Sequence, residues 1–138
     1  MNERTLVLVK PDAMKMGYAE RIKARYLMKE LEVVMEKRFR FTEEEAEAFY
    51  KDHEGRFYFV GLVLAMVSGP CTVMVLEGED AIRKVRELNG ATDPAKAAVG
   101  TIRADFRSAG GPFNTVHGSD SPEAFQREYE VLFPLMKE

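Results

Sequence analysis

The chain carries two histidines. One of them, His117, stands in Asn114-Thr115-Val116-His117-Gly118-Ser119-Asp120, between a β-branched pair and a glycine. Near neutral pH an imidazole can offer an unprotonated ring nitrogen as a nucleophile while its other nitrogen is held by a partner. Gly118 permits close backbone approach by a ligand, and Ser119 and Asp120 put hydrogen-bonding side chains beside the ring. A lone histidine next to a valine also serves as an ordinary packed residue, so the chemistry depends on what else converges on it.

Glu128 is the first partner to consider. On a C-terminal helix it falls in the stripe Ala124, Glu128, Val131 and Leu132, and a carboxylate on an apolar face requires a partner. A competing stripe through Phe125, Tyr129 and Leu132 leaves Glu128 at its edge, facing solvent. If it faces inward, it can hold one nitrogen of His117 and leave the other free to attack. Lys10, Arg86 and Arg103 are cations that could converge as a phosphate clamp, Arg103 following the turn Gly100-Thr101-Ile102. Thr92 and Tyr50 offer hydroxyls and Asn114 an amide, although spacing does not place them in one pocket. His53, in the charged stretch Lys51 to Arg56, is given no role. A single cysteine and no paired histidines leave no metal-site spacing, and neither a Walker A motif nor a Gly-x-Gly-x-x-Gly fingerprint occurs. A divalent ion could still arrive on a substrate's phosphates.

These residues must be positioned by a fold whose elements are legible in outline. Thr5 to Lys10 is a continuous apolar run closed by Pro11, the pattern of a buried central strand, and it places Lys10 at a strand end. Ala24, Leu27, Met28 and Leu31 mark one face of a helix from about Tyr18 to Leu31. From Val33 to Phe41 the period changes to alternation, which predicts a half-exposed strand with Lys37 as the exception on its apolar side. Thr42 and Glu45 have the form of a capping box for a helix from about Glu43 to Lys51. Phe57 to Ser68 is apolar nearly all round, so periodicity does not separate a buried helix from a strand, but its length and the stop at Gly69-Pro70 favour a helix. Cys71 to Leu76 reads as a strand, and Asp80 to Asn89 as a helix closed by Gly90. Gly90 to Phe113 is expected to be mostly irregular with a short helix near Pro94, and long loops are usually functional. A short strand at Asn114 to His117 and a helix from Ser121-Pro122 to about Phe133 complete the chain. The order matches an α/β (α+β) domain of ferredoxin-like βαββαβ type, a four-stranded antiparallel sheet with helices on one face, as a single domain over 1–138.

Composition narrows the function classes. With 46% apolar residues in 138, the chain can bury a core. The apolar run Phe57 to Val67 is about half a bilayer span, so no membrane segment is expected. Met1 to Arg4 leave no room for a secretory signal, and the single cysteine excludes an intrachain disulfide, which suits a cytoplasmic protein. A net charge of −3 disfavours nucleic acid as a partner but not a small phosphate ligand, which needs only a few converging cations.

The motifs together resemble the nucleoside diphosphate kinase family. Asn114-Thr115-Val116-His117-Gly118-Ser119-Asp120 is similar to that family's active-site signature, Lys10-Pro11-Asp12 to its first-strand motif and Gly100-Thr101-Ile102-Arg103 to its loop arginine. Ser68-Gly69-Pro70, Asn89-Gly90-Ala91-Thr92-Asp93-Pro94 and Tyr50 stand in family order, and the likeness spans Arg4 to Phe133. The resemblance implies ping-pong transfer of a γ-phosphate from a nucleoside triphosphate to a nucleoside diphosphate through His117. It implies that Nδ1 is phosphorylated while Nε2 is held by Glu128, with Ser119 supporting that carboxylate. Arg86, Thr92 and Arg103 would hold phosphates bridged by Mg2+, and Lys10 and Asn114 would contact the ribose hydroxyl. Lys10 and Tyr50 would assist the transferring group, and Tyr58 stands where the family usually stacks a phenylalanine on the base. The resemblance also implies a homo-oligomer, a tetramer or a hexamer.

The chain departs from the family pattern at several positions. Ala104 replaces a glycine, Val99 a proline of a loop that packs between subunits, and Phe106 to Asn114 is one residue longer, with the extra length in Ala109 to Phe113. A longer C-terminal tail found in some relatives is lacking after Glu138. Two rival classes are a regulatory module that binds nucleotides without turnover and a nucleic-acid-binding protein. The complete residue set counts against the first, and the acidic balance against the second.

Overall fold

The computed structural model describes residues 2–108, 110 and 112–136. Four strands, β1 (Asn2–Val9), β2 (Glu32–Phe39), β3 (Cys71–Glu79) and β4 (Val116–Gly118), form one sheet in the order β2-β3-β1-β4, each neighbour antiparallel. Among the described residues seven α-helices connect and flank them: α1 (Pro11–Lys15), α2 (Ala19–Leu27), α3 (Glu43–Phe49), α4 (Phe59–Val67), α5 (Ala81–Asn89), α6 (Ile102–Asp105) and α7 (Pro122–Met136). The βαββαβ expectation is met.

The helices lie on both faces of the sheet, not on one. Successive side chains of a strand point to opposite faces, and β1 divides accordingly. Val7 and Val9 pack with Ala13, Ile22, Tyr26, Val85 and Ile102. Leu6 and Leu8 pack with Ala46, Phe49, Leu62, Met66 and Leu132. A strand buried on both sides reads as an unbroken apolar run, and this is why Thr5 to Val9 lacks alternation. β2, at the sheet edge, does alternate, and a bulge between Val33 and Met35 shifts its register.

Local sequence accounts for most boundaries. The capping box forms as read: Thr42 Oγ1 accepts from Glu45 N at 3.2 Å, and Glu45 Oε1 accepts from Thr42 N at 2.8 Å. α2 stops at Leu27 rather than Leu31, because Glu30 takes a left-handed conformation with φ 61°. Two helices fall where none was expected. Pro11 starts α1 instead of merely ending the strand, its ring suiting the first helical position, and Thr101 caps α6 by accepting from Ala104 N. Near Pro94 the chain makes a single 3-10 turn, Pro94–Lys96. α7 runs through Pro134 to Met136 instead of ending at Phe133, since a proline so near the C-terminus removes one hydrogen bond without blocking many turns. Of the lengthened loop, Ala109 and Gly111 lie outside the described residues. Gly110 and Phe113 pair through two reciprocal 3.0 Å backbone bonds.

Candidate active site

β4 lies at the free edge of the sheet beside the central strand, with His117 opposite Leu8. At this edge both helical layers reach around the sheet and enclose a cavity of about 670 Å³. That volume suits a small ligand. Its walls hold Lys10, Arg86, Thr92, Arg103, Asn114 and His117, together with Tyr58. Elements distant in sequence have thus brought together the cations and the histidine.

A strained turn presents the histidine. Val116 N donates to Asn114 O at 2.9 Å, closing a turn centred on Thr115, whose φ is +78°. A β-branched residue there costs on the order of 1–3 kcal/mol and persists only when its surroundings over-determine it. Three bonds do so: Thr115 N donates to Asp12 Oδ2 (3.0 Å), Thr115 Oγ1 donates to Phe106 O (2.9 Å), and Thr115 O accepts from Lys10 N (2.9 Å).

Behind the imidazole the geometry resolves the ambiguity over Glu128. It faces inward and is 4% exposed, so the stripe through Ala124 and Leu132 is the one that matters here. Its Oε1 stands 3.0 Å from His117 Nε2 and accepts from Ser119 Oγ at 2.7 Å. The oxygen lies off the line of the ring N–H, so the contact is a close polar approach rather than a straight hydrogen bond. Arg127 Nη2 lies 3.6 Å from Oε2 and tempers the buried charge. Phe49 and Tyr50 meet the His117 ring edge-on, with centroids at 5.1 and 6.2 Å. Tyr50 therefore sits beside the histidine but is buried, its hydroxyl without a partner among the described residues, and burial raises its pKa. Nε2 is thus the ring nitrogen that stands against Glu128, and Nδ1 is the other.

The cations are arranged unequally. Lys10 is buried, and its Nζ donates to Asn114 Oδ1 at 2.7 Å. Burial pulls its pKa down to about 8, with Asp12 opposing and Arg103 assisting. Arg103 braces the site: it donates to Asn114 O (Nε, 3.1 Å), Gly90 O (Nη1, 2.7 Å) and Val116 O (Nη2, 2.8 Å). A guanidinium has five N–H groups, so two remain for a ligand. Asn114 also donates to Thr92 O at 3.2 Å, which ties the Thr92 loop to the strand.

Two polar wall residues, His53 and Asn89, are absent from the expected set. His53, given no role above, lines the cavity, and its Nδ1 lies 2.6 Å from Tyr58 Oη. A 3-10 turn at Lys51–His53 brings His53 against Tyr58, just before α4, and is too short for periodicity to reveal. Asn89 also lines the cavity. It interrupts the apolar stripe Ala81, Val85 and Leu88, a signal that a reading of α5 could have used.

The comparisons with known proteins agree with this geometry. The family model described as nucleoside diphosphate kinase matches residues 3–137. A nucleoside diphosphate kinase of Anaeromyxobacter sp. (strain Fw109-5) is 49% identical over 133 residues, covering 96% of this chain and 90% of the relative. One from Halorhodospira halophila (strain DSM 244 / SL1) is 50% identical over 131 residues, covering 95% and 92%. Among solved structures, the Aquifex aeolicus nucleoside diphosphate kinase superposes with a TM-score of 0.92 at 45% identity, covering 96% of each chain. A halophilic one from Halobacterium salinarum, solved in complex with CDP, gives 0.91 at 44%, covering 96% of this chain and 88% of that one. The fold and the relatives define a phosphotransferase. The chain belongs to the nucleoside diphosphate kinase family.

Proposed function

We propose that the protein transfers a γ-phosphate from a nucleoside triphosphate to a nucleoside diphosphate in two half-reactions, with His117 as the carrier. The observation that carries this reading is the pairing of His117 Nε2 with a buried carboxylate 3.0 Å away, on the wall of a cavity that also holds Lys10, Arg86 and Arg103. In the first half-reaction the Nδ1 lone pair attacks the γ-phosphorus. The P–O bond to the β-phosphate breaks, and the diphosphate leaves with the electron pair. In the second, a β-phosphate oxygen of the acceptor attacks phosphorus, the N–P bond breaks and the imidazole recovers its lone pair. Glu128 steadies the positive charge that the ring gains on phosphorylation, and Ser119 holds Glu128.

A phosphoryl group in flight spreads charge over its oxygens, so positioning and cations supply most of the catalysis. Arg86, Thr92 and Arg103 are assigned to the phosphates, Lys10 and Asn114 to the ribose hydroxyl, and Lys10 with Tyr50 to the transferring group. Tyr58, 39% exposed at the cavity mouth, offers its ring to the base, a face every base shares. Magnesium fits as a companion of the substrate: Asp120 is the carboxylate on the described wall, so phosphate oxygens would supply most of its ligands. When bound, the ion would neutralise phosphate charge. Cys71, a buried thiol whose pKa is pushed up to about 12 by burial, suits a reducing compartment, and we place the enzyme in the cytoplasm as a homo-oligomer.

Incubation with a labelled nucleoside triphosphate and magnesium should yield an acid-labile phosphohistidine, and His117→Ala should abolish the label. Label persisting in His117→Ala would move the carrier elsewhere, and none in the parent protein would sink the reading.

A further inference from the structure

Asn89 closes α5 and is 2% exposed, yet only half of its amide is used. Its Oδ1 accepts a 2.6 Å hydrogen bond from the hydroxyl of Tyr26, a side chain with no exposure at all. The tyrosine spends its single proton there, and fixing the oxygen of a planar amide fixes its NH2 as well. Nδ2 has no acceptor among the described residues. It rests against Gly118, next to His117, where a Cβ would stand 2.8 Å from it. Asn89 lies on the cavity wall with Arg86, one turn earlier on α5, and with Arg103, which holds the carbonyl of the following Gly90.

The polarity of this arrangement is informative. The acceptor is turned into the protein, and the NH2 group lies toward Gly118 on a wall that Arg86 and Arg103 also line. Such a set recognises an anion, and a donor left without a protein partner on a cavity wall is open to a ligand. We propose that Asn89 binds phosphate in this site, its Nδ2 donating to a phosphate oxygen of the bound nucleotide, and that Tyr26 is the positioning residue that locks the amide for it. The proposal rests on the nucleotide-binding reading given above.

Calorimetric titration of ADP with magnesium into the parent protein and four variants tests it. Loss of one hydrogen bond to a charged group is worth about tenfold or more in affinity, so Asn89→Leu should weaken ADP by about that factor. Asn89→Asp separates binding from structure, because it keeps the acceptor for Tyr26 but replaces the donors with a negative charge. It should weaken ADP more than Asn89→Leu does. A purely structural amide predicts the reverse order, with Asn89→Asp near parental affinity, and that result would overturn the proposal. Tyr26→Phe should weaken ADP in the parent but not in the Asn89→Leu background, where no amide is left to position. An equal loss in both backgrounds would remove Tyr26 from the proposal. The double variant Tyr26→Phe/Asn89→Leu replaces both buried partners with apolar groups and guards against a failure to fold. If the parent protein does not bind ADP, it is the nucleotide reading that fails; if it binds and Asn89→Leu is unchanged, it is this one.

Discussion

Lys10 sits where its charge is both useful and costly. Burial lowers its pKa to about 8, and the direction matters for function. In the free protein Lys10 loses its proton as pH rises through about 8, while in the unfolded chain it holds it to its ordinary value of 10.5. Between those values the unfolded state binds more protons, so this group makes the fold more stable as pH rises and less stable below about 8. Phosphate binding should run the opposite way. ADP affinity should fall as pH climbs above about 8, by at most about tenfold per unit for one proton; calorimetry at several pH values checks this, and Lys10→Met should remove the dependence. Glu128→Gln keeps the shape but removes the charge facing Nε2. Phosphorylation of His117, followed by rapid quench, should slow by on the order of 10²-fold, in the range for a positioned acid or base, and an unchanged rate would make Glu128 a packing residue. At this scale the sequence announced His117 through its neighbours, but it left Glu128 undecided because two stripes on one helix compete. Only the docking of α7 chooses between them. His53 and Asn89 escaped because one depends on a short 3-10 turn and the other on a tyrosine 63 positions away.

The elements were legible where a period or a cap is written in several residues, as for α3 and α5, or where an apolar run meets a clear stop, as for α4 and the buried β1. They were illegible where a helix is one turn long. α1 and α6 span 5 and 4 residues, too few to show a periodic face, and both depend on tertiary contacts. α6 nevertheless carries Arg103, and its start is locked to the end of α5. Gly90 has φ +84° and ψ −173°, a conformation essentially confined to glycine, and a Cβ there would lie 2.6 Å from Thr101 Cβ and Oγ1. Gly90→Ala should therefore destabilise the protein by more than about 1 kcal/mol in urea titration. It should also weaken nucleotide binding, because the Gly90 carbonyl is one of the three that hold Arg103.

For the whole molecule, the order of strands and helices was enough to give the topology, since antiparallel βαββαβ chains have few ways to close. The two-faced packing was not foreseen, although β1, apolar on both sides, already demanded a second layer. On the outer surface of α4, Val60 and Leu64, one turn apart, are 67% and 54% exposed. Apolar side chains presented together on a helix mark association surfaces. Light scattering should give a mass several times the 15.7 kDa of one chain, consistent with a tetramer or a hexamer; a monomer would overturn the homo-oligomer reading. The brace formed by Arg103 has a thermodynamic corollary. Because three carbonyls from two separate segments are already gathered around it without ligand, nucleotide binding has little chain left to order. The heat-capacity change on binding should then match the apolar area the ligand covers, with no added contribution from coupled folding.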